Sequence, residues 1–438
     1  MVETQVQNMR YTPLPKELYI KKRKKLKAAL KKNSIALLTS NDVLPTNADG
    51  IMGFKQNSDL FYLTGIDQEE TYLLLFPDHP KKKFREILFI RETNEHLKIW
   101  EGEKLSKEQA QELSGIKTVK WSDEIDDFLD ENIDLACKVY LNSNEHTGKN
   151  EDFISENIQF NKWIRKAFGV KKPKKLAPIL WELRSIKEPE ELTQIKKAIS
   201  ISKKALQVFA EKLKPGIPEY KLEAELTYQF LLNKSRGHAF QPIVASGKNA
   251  CVLHYISNNE ICQDGDLVLL DFGAEYGNYN ADITRCFPVN GKFTKRQKEV
   301  YNAVLAVFKF SKERIVAGNT MANLRKETIS YMEKKLISLG LLTQKEIKAQ
   351  DPKKPLYRKY FPHGVSHYLG LDVHDVGPKD AEFKAGMLFT CEPGIYIMEE
   401  GIGIRLENDI LITEKGNIDL GADIPIETED IEAMMAKA

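Results

Sequence analysis

Apolar residues recur along this chain in two textures: three-to-four-residue spacings that predict helices, and short unbroken runs that predict strands. From Lys16 to Lys32, Leu18, Ile20, Leu26, Ala29 and Leu30 are set among nine Lys/Arg residues. That spacing predicts a basic surface helix whose leucines pack down while its lysines face water. The runs Ile35–Ser40, Leu60–Thr64, Thr71–Pro77 and Arg85–Ile90 are bounded by Asn, Asp, Gly and Pro, and predict strands. Helical patterns at Lys107–Leu113 and Asp123–Asn132 follow, so residues 1–175 read as an α/β domain. The lysine-rich stretch Val170–Pro178 reads as a linker that ends it.

The second half, residues 176–438, has a different order. Glu188, Pro189, Glu190 and Glu191 open a long periodic stretch that runs to Lys214, where Pro215, Gly216 and Pro218 must end a helix. A second helix is predicted over Glu219–Lys234, then strands and glycine turns to Val289. Helices return at Thr294–Ala317 and Ala322–Leu339, and Gly364–Thr413 is glycine-rich and strand-like. The sequence shows no internal repeat, but this double run of helices followed by strands is the pattern a diverged duplication would leave. The expected fold class is α+β, with the larger domain second.

Composition narrows the function. With 65 Lys+Arg against 63 Asp+Glu the chain carries a net charge of +2, which disfavours nucleic acid as the main partner. Five cysteines without a C-x-x-C pair suggest neither a disulfide framework nor a thiolate zinc site, and point to a reducing cytoplasm. No run approaches 18 apolar residues, so no membrane span is expected, and the polar stretch Met1–Tyr11 does not read as a signal peptide.

Of the eight histidines, His363, His367 and His374 fall within 12 positions among glycines, and His254 lies in a separate glycine-containing stretch. Leu267–Leu270 is an apolar strand that runs into Asp271, and a hairpin through Tyr276, Gly277 and Asn278 would return Asp282 to its side. Glu392 and Glu407 likewise follow apolar runs. Several inward carboxylates need a cation, because each unpaired buried charge costs several kcal/mol, on the order of 3–5. Four carboxylates with one imidazole suit a pair of divalent ions of the manganese, iron, cobalt or zinc type, and such a pair activates water for hydrolysis of an amide or ester. Spacing alone does not choose among His363, His367 and His374 as the ligand. Cys391, beside Glu392, has no neighbouring base to activate it and reads as structural.

The strings H-G-V-S-H-Y-L-G-L-D-V-H-D-V-G (363–377), D-F-G-A-E-Y (271–276), N-A-D-I-T-R (280–285), C-E-P-G-I-Y (391–396) and G-I-G-I-R-L-E-N-D (401–409) resemble those of the pita-bread metallopeptidases. Within them the match is to the Xaa-Pro aminopeptidase (aminopeptidase P) family, whose N-terminal domain has motifs similar to F-K-Q-N-S-D-L-F-Y-L-T-G (54–65) and W-E-G-E-K-L (100–105). The resemblance spans nearly the whole chain. It implies a creatinase/ribonuclease H-like α/β domain ahead of a pita-bread catalytic domain, and two divalent metal ions with manganese as first choice. It implies Asp271 on one metal, Asp282 and Glu407 bridging, and His367 and Glu392 completing the other. Glu392 would accept the proton that activates a metal-bridging hydroxide. His254, His363 and His374 would line the substrate site, with His374 at the oxyanion and His363 at the proline side, and Arg405 would position substrate. The implied substrates are peptides with proline second, and the implied assembly is a homo-oligomer, a dimer or tetramer. The rival activity is that of a prolidase, restricted to Xaa-Pro dipeptides. A metal-free binding relative is the rival from another class, and the complete ligand set argues against it. Phe361–Pro362 and the insertion-like Lys345–Tyr360 depart from the family's pattern.

Overall fold

The computed structural model describes residues 10–144 and 154–436, so most of the Met1–Tyr11 stretch lies outside the described residues. The chain divides into two compact units, Met1–Arg184 and Ser185–Ala438.

The first unit is built on one mixed sheet. Its strands are β1 (Ser34–Thr39), β2 (Tyr72–Leu75), β3 (Glu86–Ile90), β4 (Thr118–Trp121), β5 (Lys138–Leu141) and the short β6 (Lys174–Lys175), in spatial order β4-β3-β2-β1-β5-β6. β1 is buried throughout and β2, β3 and β5 are buried after their first residue, which is why they read as apolar runs. Ile35, Leu37, Leu74, Ile87 and Phe89 from the sheet, with Phe76 just past β2, meet Phe128, Leu129, Phe160 and Ile164 from the helices Ile125–Asn132 and Glu156–Ala167. Each such side chain stabilises the fold by about 1.5–3 kcal/mol relative to exposure.

Three expectations are corrected here. Leu60–Thr64 is not a strand but the body of a helix, Ser58–Thr64, capped by the Asn57 side chain and stopped by Gly65 in the left-handed conformation. All five residues are buried, and a short run that is buried all round has no period to distinguish helix from strand. In the basic helix, Lys16–Ala29, not every cation faces water. Lys22 lies with its ammonium 4.0 Å from the Tyr62 ring centroid, and buried Arg23 donates to Glu86 and to the Leu63 carbonyl. The stretch read as a linker supplies edge strand β6 and the start of the helix Ala177–Ser185.

The second unit opens with the helix Pro189–Lys212, started by a reciprocal Glu188–Glu191 capping box with proline at its first position. The helix Glu219–Leu232 follows, and then β7 (Ile243–Ser246), β8 (Leu267–Phe272), β9 (Glu275–Tyr276), β10 (Tyr279–Asn280) and β11 (Ile283–Pro288). The helices Lys295–Lys312 and Met321–Ser338 precede β12 (Leu388–Cys391), β13 (Gly394–Ile397), β14 (Ile402–Arg405), β15 (Asn408–Thr413) and β16 (Gly416–Asp419). Two helices followed by strands therefore occur twice. Strands pair antiparallel as β11-β8-β7, β9-β10, β12-β15-β16 and β13-β14. The strand-like texture expected from Gly364 begins only at Leu388, because residues 364–387 run largely as loop. The insertion-like stretch holds the short helix Gln344–Ala349 and a turn of 3₁₀ helix at Leu356–Lys359.

The hairpin at β9–β10 turns through Gly277 and Asn278, both at positive φ (59° and 69°), the geometry that matches strand twist in a two-residue loop. Beside it the chain passes so close to itself that a Cβ on Gly273 would overlap the Ala281 carbonyl oxygen. Gly273→Ala is therefore expected to lower the unfolding midpoint of the metal-free protein by at least about 4 °C, measured by calorimetry.

Candidate metal centre

The register of the central strands delivers the acids. In the β8–β11 ladder Asp271 stands opposite Thr284 and Phe272 opposite Ile283, so Asp282 falls just beyond the last pair, on the same end as Asp271. Thr284 also bridges to Glu407, which lies where the chain passes from β14 to β15 and so between two sheets. Glu392 follows β12, and its N–H donates to the Val365 carbonyl. The Thr390 N–H donates to the His367 carbonyl, so the His367 segment runs alongside β12. Thus Asp271 and Asp282 come from the first helix-and-strand half of the unit, and His367, Glu392 and Glu407 from the second.

All nine residues nominated from the sequence line one cavity of about 560 Å³. One ligand atom from each of Asp282, His367 and Glu407 can be chosen so that all lie within 4.8 Å of one another. His367 Nε2 is 3.4 Å from Asp282 Oδ2 and 3.8 Å from Glu392 Oε1. The Nδ1 of His367 lies 2.9 Å from the Tyr368 carbonyl, which fixes the proton there and turns the Nε2 lone pair toward the acids. Asp271 stands beside this group, with Oδ2 held by Arg405 at 2.6 Å.

The electrostatics of the cluster are unfavourable as they stand. Burial, then the charges of Glu407, Asp271 and Asp409, holds the Asp282 carboxyl well above its ordinary range. Glu392 is raised by burial and by Glu407. Burial and Asp271 push Glu407 up to about 7. Buried oxygens of Asp271 (Oδ1), Glu407 (Oε1) and Asp409 (Oδ1) have no hydrogen-bond partner. Orphaned acceptors converging on an imidazole lone pair make a donor set that fits divalent cations.

Around this core, side chains are fixed by protein partners. The Arg405 guanidinium donates to Asp271, to Tyr396 Oη at 2.7 Å and to Thr284 Oγ1 at 3.3 Å, while Thr284 donates to Glu407 at 2.6 Å. Burial, with Arg405 nearby, pushes His363 down to about 3, so its ring is neutral. Its Nδ1–H then donates to the Gly364 carbonyl at 2.7 Å, and Nε2 accepts from the Tyr396 hydroxyl at 2.8 Å. The exposed His254 and His374 stand at the cavity wall, with the His374 ring 4.2 Å from that of His367, centroid to centroid. Cys391 is fully buried, and burial raises its thiol well above the ordinary value, so no thiolate is available there.

Sequence reasoning did not single out Asp409, Thr284 or Tyr396. Asp409 is fully buried, accepts the Asp282 N–H at 3.3 Å, and is held above its ordinary range by burial and Glu407. A strand's period of two puts it on the same face as Glu407, and that signal was present in L-E-N-D. Nothing local marks Thr284 or Tyr396, because their roles depend on partners 123 and 33 residues away.

Comparison with known proteins identifies the family. Residues 193–414 match the model of metallopeptidase family M24, and residues 19–140 match the aminopeptidase P N-terminal domain. The Xaa-Pro aminopeptidase of Escherichia coli K12 is 34% identical over 97% of this chain and 99% of its own length. Human Xaa-Pro aminopeptidase 3 is 30% identical over 88% of this chain and 77% of its own length. Among solved structures, E. coli aminopeptidase P with the inhibitor Pro-Leu superimposes with a TM-score of 0.87 at 33% identity, covering 97% of this chain and 99% of that one. The zinc-substituted form of that enzyme with product gives 0.86 at 33% identity with the same coverage. The two family matches and the likeness to the E. coli enzyme over nearly the whole of both chains place this chain in metallopeptidase family M24, where it belongs with the aminopeptidase P proteins.

Proposed function

We propose that this chain removes the first residue of peptides whose second residue is proline, hydrolysing the Xaa-Pro bond at the buried acid–histidine cluster. It is a metallo-aminopeptidase, as its family and its full-length likeness to Xaa-Pro aminopeptidases indicate. The observation that carries the reading is the convergence of Asp282, His367 and Glu407 within 4.8 Å, with orphaned acceptor oxygens beside them.

Asp271, Asp282, His367, Glu392 and Glu407 would hold two divalent ions. Bound there, such a pair lowers the pKa of an adjacent water and polarises the carbonyl under attack. Glu392 accepts the proton of the attacking water: it is only partly buried, faces the cavity, and burial with Glu407 beside it raises its affinity for a proton. His374 donates a hydrogen bond to the oxygen that gains charge. Neutral His363, fixed by Tyr396 and Gly364, walls the proline side with His254. Arg405 holds Asp271 in place and, through Tyr396, orients His363. The apolar part of the cavity, including Phe240, Leu253 and Ile256, suits a proline ring, whose nitrogen has no hydrogen to satisfy.

Manganese is our choice of ion, because the donors are mostly carboxylate oxygens with a single imidazole. Five sparse cysteines favour the cytoplasm. None of the helices among the described residues is long and apolar enough to cross a membrane. Tyr220, Tyr228, Leu231 and Leu232 remain exposed on the helix Glu219–Leu232, a face suited to a second copy and hence to a homo-oligomer. We take residues 176–438 as the catalytic domain and 1–175 as the aminopeptidase P domain, with the helix Ala177–Ser185 at their junction.

Given a Xaa-Pro-Yaa tripeptide and manganese, the protein should release free Xaa, detected by chromatography. Cleavage of Xaa-Pro dipeptides without the tripeptide would make it a prolidase instead. Glu392→Gln should lower kcat by about 10²–10⁴-fold, measured under the same conditions. Removing divalent ions with a chelator should abolish activity and expose the repulsion among the acids. In that metal-free protein Glu407 keeps its proton up to about pH 7, whereas an ordinary glutamate loses it near 4.5. The folded state binds the extra proton, so the stability contributed by this group is full below about 4.5 and is lost as pH rises through 7, followed by thermal melts over about pH 5–8. Added ions should reverse the loss at the upper end.

A further inference from the structure

Behind the cavity lies an ion pair that the mechanism above does not use. Lys187 Nζ is 2.9 Å from Asp375 Oδ2, and the two side chains are 1% and 2% exposed. A buried pair of this kind seldom stabilises a fold more than apolar residues of the same volume would, so its position is the informative property. The Lys187 N–H donates to the Gly386 carbonyl, and Ile186 bridges to Met387, at the entry to the strand that ends one residue before Glu392. Asp375 follows His374 directly. Its N–H donates at 2.9 Å to the Tyr368 carbonyl, the same oxygen that lies 2.9 Å from His367 Nδ1. Between them Gly370 is pressed against both charged ends: a Cβ there would overlap Asp375 Oδ2 and come within 2.9 Å of Lys187 Nζ. From the opposite side Asn280 donates through Nδ2 to the Gly370 and Leu371 carbonyls at 3.0 and 2.9 Å. The loop 367–375 pairs with β12 through His367, Tyr368 and Leu369 at its start, and further along is held at Asn280 and at the ion pair, with His374 next to Asp375.

We infer that Lys187 and Asp375 are positioning residues: their ion pair sets the Tyr368 carbonyl that orients His367 and holds His374 beside it. The inference rests on the roles proposed above for His367 and His374. Neither residue of the pair lines the cavity, so each acts on the site indirectly.

The test uses the full-length protein and two variants, Asp375→Asn and the apolar replacement Lys187→Met/Asp375→Leu. Tm, Mn²⁺ affinity by calorimetry, and kcat and KM on a Xaa-Pro-Yaa tripeptide are measured for each. The apolar replacement is expected to keep the parent's Tm, yet to bind Mn²⁺ about 10-fold or more weakly. Its kcat should fall by about 10–100-fold with little change in KM. A purely structural pair predicts parent-level kcat and Mn²⁺ affinity at the parent's Tm, and that result would overturn the inference. Loss of the cooperative transition in both variants would assign the pair to stability and overturn it as well. If the apolar replacement alone fails to fold, Asp375→Asn is judged by the same two quantities. Should the parent bind Mn²⁺ but leave the tripeptide intact, the proposed activity falls, and the positioning role is decided by Mn²⁺ affinity alone.

Discussion

Mutual repulsion among buried carboxylates is the constraint around which the catalytic unit is arranged. Asp282, Glu407 and Asp409 are nearly or wholly out of contact with solvent, Glu407 and Asp409 raise the proton affinity of Asp282, and Glu407 raises that of Asp409. Such a group can persist only if its shape is enforced by the surrounding fold and its charge is met by cations. Arg405 meets part of that charge directly, and the converging acceptor atoms leave the rest to divalent ions.

The fold enforces the shape by drawing the acids from segments far apart in sequence. Antiparallel register fixes Asp271 against Thr284, and a single bridge fixes Thr284 against Glu407. Hydrogen bonds then carry the arrangement outward, from Thr284 and Asp271 to Arg405, from Arg405 to Tyr396, and from Tyr396 to His363. This network is local to the strands, whereas the loop 367–375 pairs with β12 only over its first residues, and beyond them is held by Asn280 of β10 and by the Lys187–Asp375 pair. Strand ends and the residues just beyond them supply the carboxylates, and the loop supplies His367 and His374.

Legibility from the sequence followed physical period. The long helices were readable from their caps and breakers: Glu188 and Pro189 at one start, Pro215 and Gly216 at one end. Leu60–Thr64 was misread because complete burial removes the polar face that reveals a helix. Lys22 and Arg23 were expected in water because composition does not show that Tyr62 and Glu86 wait on the next elements. At the site, acids ending apolar runs were conspicuous, whereas Asp409 was overlooked in the same string as Glu407.

The sequence by itself determined the inventory: a chain close to neutral overall, with a few acids and histidines placed against apolar or glycine-rich runs. It also determined the family, because motifs of that length leave little to chance. Only the tertiary structure decided which atoms meet. Register placed Asp282 one step past the end of a ladder, and a carbonyl at Tyr368 chose which nitrogen of His367 faces the acids. A lysine 188 residues away came to hold the loop that bears His374. Contacts of that separation are settled by how sheets and loops pack, and no local pattern of residues encodes them.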